Sequence, residues 1–125
     1  MSIDTAASAR AKGGKAKTTA LWVATGLLAC LFVFSGFMKF VNPEMAEHFS
    51  QWGYPDWFRI LIGVVELGGG LALLVPRTAW YAAGALEVVM AGAVFTHLRN
   101  GEVPQAVVPF VLLCVLAALG YARRP

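Results

Sequence analysis

The chain has 125 residues, of which 58% are hydrophobic and only 14% charged. A soluble domain carries about 25% charged residues, so the composition argues against a water-soluble enzyme or binding module and makes lipid the natural solvent for the outer surface. The net charge of +3 does not indicate a nucleic-acid partner, because the basic residues flank apolar runs and form no basic face.

Residues 1–19 are rich in Ala, Ser, Gly and Lys. They are expected to form a disordered basic tail drawn to anionic headgroups. The apolar run that follows is too long for a signal peptide and lacks a small-residue cleavage site behind it. Leu27-Leu28-Ala29-Cys30 looks like a lipoprotein cleavage box, but the residues after Cys30 stay apolar where a lipoprotein turns to a polar tether. Runs 18–38 and 103–122 contain no charged residue, and runs 60–75 and 78–98 contain one carboxylate each, Glu66 and Glu87. A helix needs about 20 such residues to cross a hydrocarbon core of about 30 Å, and helices satisfy the backbone where water is absent. The expected domain is residues 20–125, with spans near 20–41, 57–75, 78–98 and 103–122.

Between the first two spans, Asn42 is placed to N-cap a short helix with Pro43 at its first position, and Gly53 to stop it. Met45, Phe49 and Trp52 recur at i, i+4 and i+7, opposite Glu44, Glu47, His48 and Gln51. That pattern predicts an amphipathic helix at the outer interface or folded over the bundle mouth. The remaining connections are short and force antiparallel neighbours, so the predicted fold is an all-α, up-down-up-down bundle of four transmembrane helices.

Orientation follows from charge. Arg10, Lys12, Lys15, Lys17, Arg77, Arg123 and Arg124 fall on one side, against Lys39, Arg59 and Arg99 on the other. The positive-inside rule then places both termini in the cytoplasm.

The two carboxylates within the spans are the main chemical signal. Counting through the turn at Arg77 puts Glu66 and Glu87 at one depth, about 15 Å from the cytoplasmic end. Two like charges there repel, so at least one is expected to hold its proton. On that reading Glu66→Gln is benign. Arg59, Gly63 and Glu66 share one helix face and suggest a polar groove descending from outside, with Gly63 as an open step. Lys39, His97 and Arg99, at the outer ends of their helices, are candidates, with Arg59 and His48, for a cationic mouth, and His97 for a proton carrier. Snorkelling to headgroups accounts equally for Lys39 and Arg99. Cys30 and Cys114 are isolated, and neither zinc spacing nor a haem-attachment motif is present, so no metal is expected.

Four segments, in order, resemble a known family. Phe34-Ser35-Gly36-Phe37-Met38-Lys39-Phe40 resembles the S-G-x-x-K segment that ends the first span of DoxX-like proteins. Gly63-Val64-Val65-Glu66-Leu67-Gly68-Gly69-Gly70, followed by Leu73-Leu74-Val75-Pro76, resembles their second span. Met90-Ala91-Gly92-Ala93 before Thr96-His97 resembles their third. The resemblance runs from about residue 21 to the C-terminus and implies the four-helix fold and the bacterial inner membrane. The family takes its name from a membrane subunit of a quinone-reducing thiosulfate oxidation system, and nothing in the chain supplies a thiosulfate site. The expected role is a non-catalytic, redox-linked subunit holding a quinone or similar lipid-soluble molecule between helices. A scaffold that docks another membrane protein, or a homo-oligomer, is the alternative. Solute or proton transport by an oligomer is more remote, because no inverted repeat is visible.

Overall fold

The structure is a computed structural model that describes residues 3–125; Met1 and Ser2 of the expected tail and the Arg10 side chain, counted among the cytoplasmic cations, lie outside the described residues. Five helices follow in order: α1 (Ile3–Val41), α2 (Pro43–Gln51), α3 (Asp56–Leu73), α4 (Pro76–Arg99) and α5 (Val103–Ala122). No strand occurs among the described residues.

Local chemistry accounts for the boundaries. The Asn42 side chain accepts from the backbone N–H of Glu44 at 2.9 Å and Pro43 opens α2, while Gly53 takes φ +88° and ends it. The α3–α4 turn is closed by the Thr78 hydroxyl, which donates to the Ala72 carbonyl at 2.7 Å, with Pro76 at the start of α4. Gly101, at φ +73°, makes the turn into α5, a conformation that residues with a Cβ rarely adopt. Helix α1 reaches back to Ile3, through residues for which composition predicts a disordered tail. Ala and Lys are good helix formers, so the local preference is helical. Residues 12–20 of that stretch are all exposed.

Among the described residues, three helices are long and apolar enough to cross a membrane: Thr5–Val41 within α1, α4 and α5. Helix α3, expected as the second span, is not among them. It has 18 residues, and Asp56, Arg59 and Glu66 all fall within that length.

Helix α1 packs on α3, α4 lies between α3 and α5, and α2 rests on the α1–α3 pair. Gly36 faces Gly63, and Ala29 faces Gly70, so contacts run in opposite order along α1 and α3. The approach is very close: a Cβ on Gly36 would lie 2.7 Å from the Gly63 carbonyl oxygen and from the Leu67 nitrogen. Small residues permit such backbone contact between helices where lipid supplies no hydrophobic drive. Leu28, Phe32, Leu73, Leu86, Leu116 and Leu119 form the shared core. The exterior is as apolar as the interior, with Leu27, Phe34, Val64, Val88, Phe95 and Val108 all more than half exposed. Continuous apolar surface on this scale suits lipid rather than water.

Candidate functional site

The Gly36–Gly63 contact brings the end of α1 against the middle of α3 and determines which charges meet. Lys39, in the last turn of α1, puts Nζ 2.7 Å from Glu66 Oε1, and the two side chains are only 8% and 2% exposed. The same ammonium donates to the Ser35 hydroxyl at 3.1 Å. The second carboxylate oxygen, Glu66 Oε2, is buried and has no hydrogen-bond partner. Arg59 braces the pair from above. It donates through Nη1 to the Lys39 carbonyl, holds Nη2 3.7 Å from Asp56 Oδ1, and leaves Nε buried without a partner.

Above the ion pair lies a cavity of about 200 Å³. Lys39, Glu66 and Ser35 form its polar end; Ile62, Val89 and Met90 line its sides; Met45 and Phe49 of α2, with Trp52, Tyr54 and Phe58, cover it. The cover is an aromatic cluster, with Phe49–Trp52 centroids 5.3 Å apart and Tyr54–Phe58 centroids 4.8 Å apart. It is pinned to the end of α4 and to the turn that follows it by polar contacts. The Tyr54 and Thr96 hydroxyls are 2.7 Å apart, Trp52 Nε1 donates to Glu102 Oε1 at 3.1 Å, and Arg99 donates to the Trp52 carbonyl at 2.9 Å. His97 Nδ1 lies 2.9 Å from that same Glu102 oxygen, and its ring meets the Trp52 ring edge-on at 5.3 Å. The hydrogen bond from His97, helped by the one from Trp52, holds the Glu102 carboxyl below its ordinary value of 4.5, against a smaller opposing effect of burial.

Of the residues singled out in the sequence, Lys39, Glu66 and His97 line this cavity and Arg59 stands beside it. Gly63 is a packing residue and no open step, because a Cβ there would lie 3.1 Å from the Gly36 carbonyl and the Phe40 ring. Glu87 does not meet Glu66. It lies half-buried in a separate groove with Trp80, Tyr81 and Tyr121. Counting residues through a turn fixes depth but leaves rotation about the helix axis open. The cationic mouth is likewise dispersed, since Lys39 turns inward to Glu66 and Arg99 outward to the aromatic cover. Sequence reasoning missed the Lys39–Glu66 pair, Tyr54 and the role of Glu102. The signal for the first was present: helix side chains lean toward the N-terminus, so a lysine closing α1 aims back past Ser35 to mid-depth. No group of His, Cys, Asp or Glu among the described residues is arranged to hold a metal.

An all-helical chain with an apolar exterior and several helices able to span a bilayer defines a multi-pass membrane protein. More particularly, the chain belongs to the DoxX-like family, whose model matches residues 23–119. It is 30% identical over 97 residues to the uncharacterized protein YdgD of Bacillus subtilis (strain 168), an alignment covering 74% of this chain and 85% of that protein. No solved structure matches.

Proposed function

We propose that this protein crosses a bacterial inner membrane four times, with both termini cytoplasmic, and holds a lipid-soluble ring compound of the quinone class in the cavity beneath α2. In this reading it is a redox-linked binding subunit with no catalysis of its own. Helix α3 serves as the remaining span: 18 residues cover about 27 Å at 1.5 Å each. Its charges are compatible with that, since Glu66 is neutralised by Lys39 and the other two, Asp56 and Arg59, lie in its first turn. Ile60, Leu61, Val64 and Leu71 give it an exposed apolar face. Helix α2 then lies at the outer interface with its aromatic face turned to the cavity.

The observation that carries the ligand reading is the buried, partnerless Glu66 Oε2 at a cavity that is otherwise mostly apolar. A buried acceptor left unmade costs about 1–3 kcal/mol, which a ligand donor recovers. Lys39 has three N–H donors, of which Ser35 and Glu66 take two. A quinone carbonyl accepts the third, and the hydroxyl of the reduced form donates to Glu66 Oε2. Phe49, Phe58 and Trp52 supply faces for the ring. Gly92 lines the cavity yet is exposed, and an added Cβ there meets nothing within 4 Å. That gap supports entry from the bilayer between α3 and α4.

Gly92 also provides the test. Purified protein in detergent is titrated with menadione, a tail-free naphthoquinone, by calorimetry. Gly92→Leu fills the gap without striking backbone, so binding weakens roughly tenfold or more, the equivalent of about 1.4 kcal/mol, while the unfolding midpoint holds. Wild-type affinity in Gly92→Leu, or no binding by the wild type, contradicts the reading.

A further inference from the structure

The groove that holds Glu87 has its own chemistry. It lies between α4 and α5, encloses about 420 Å³, and is lined by Trp80, Tyr81, Gly84, Glu87, Ala117 and Tyr121 among others. Trp80, Gly84 and Glu87 recur at i, i+4 and i+7 and so share a face of α4. Glu87 is the twelfth of the 24 residues of α4, roughly 17 Å from either end at 1.5 Å per residue. Among the described residues it makes no hydrogen bond or ion pair, and no basic side chain lines its groove. Unlike Glu66, it has no lysine.

We propose that this groove is a second binding site, for a lipophilic organic cation, an ammonium or phosphonium centre carried on an apolar body. The groove's chemistry favours that class. An organic cation supplies the counter-charge that Glu87 lacks among the described residues, and an anion does not. A small inorganic cation needs a cage of several oxygens, whereas the walls here offer aromatic rings and small apolar residues. Aromatic faces attract soft organic cations, and Trp80 and Tyr81 make no ring or cation contact with any other described residue. Tyr121 already takes the guanidinium of Arg124, at 3.7 Å from its centroid. Gly84 leaves room for the guest, since an added Cβ there meets nothing within 4 Å.

The site is independent of the quinone reading and is tested separately. Full-length protein in non-ionic detergent is dialysed to equilibrium against tetraphenylphosphonium. Binding is saturable, Glu87→Gln weakens it roughly tenfold or more, and Gly84→Leu fills the groove and abolishes it. Glu87→Asp, which keeps the charge, retains measurable binding and controls for loss of fold. Menadione titration of Glu87→Gln is unchanged, which separates the two sites. No saturable uptake by the wild type, or full affinity in Glu87→Gln, overturns the proposal.

Discussion

Among the described residues Lys39 and Glu66 are each the other's only ion-pair partner, both side chains are buried, and that makes their substitutions asymmetric. Removing one partner of a buried pair strands the other charge and costs about 3–5 kcal/mol, whereas replacing both with apolar residues is often nearly neutral. Glu66→Gln, benign if the carboxylate merely shared a proton with Glu87, is therefore expected to lower stability strongly, as is Lys39→Met. The double variant Lys39→Met with Glu66→Leu recovers most of the loss. Unfolding titrations in mixed micelles measure this, and a Glu66→Gln variant as stable as the wild type refutes it. Gly36 supplies a second residue-scale expectation. Its Cβ would meet backbone atoms at 2.7 Å, so Gly36→Ala forces α1 and α3 apart at a cost of about 1–3 kcal/mol. Gly68→Ala, where nothing lies within 4 Å, leaves the unfolding curve in place. Both pair members were legible in the sequence as functional candidates. Their pairing was not, because apolar periodicity records which faces are greasy and says little about which polar groups meet across them.

Helix α2 was the most legible element, since Asn42, Pro43 and Gly53 encode its ends and Phe49 its buried face. Its fastening was illegible, because Trp52 reaches Glu102 across fifty residues of sequence. That fastening has a defined pH dependence. The Glu102 carboxyl sits below its ordinary 4.5, chiefly through the hydrogen bond from His97. The ionised carboxylate thus contributes fully above that ordinary value, and its contribution is lost as pH falls through the lowered one. Amide hydrogen exchange across α2, corrected for intrinsic rates, is expected to quicken as pH falls below that ordinary 4.5 and to be quick already at neutral pH in Glu102→Gln. Equal protection in the variant and the wild type at neutral pH contradicts the role given to Glu102. At α1, Ala and Lys, both good helix formers, accompany a helix that runs back to Ile3. The helix there continues without the contacts that define a domain.

At the scale of the molecule, the membrane character was readable from composition and the family from four short segments, because lipid exposure and helix-packing glycines leave their marks in the linear sequence. The span count is harder, since α3 carries an ion-pair partner and two further charges in its first turn that dilute its hydropathy. A periplasm-active reporter inserted near Ser50 is expected to be active and one fused after Pro125 silent, as the seven-to-three division of the ten Lys and Arg residues requires. The reverse pattern inverts the orientation, and activity at both positions rules out four spans. Occupancy of the cavity above Lys39 and Glu66 by a lipid-soluble ring compound is tested best by mass spectrometry of what leaves the membrane with the protein. A stoichiometric quinone-class molecule is expected on the wild type and is expected to be missing from Gly92→Leu of equal stability. A wild-type protein that carries no such molecule but is extracted with a partner membrane protein contradicts it and favours a scaffold.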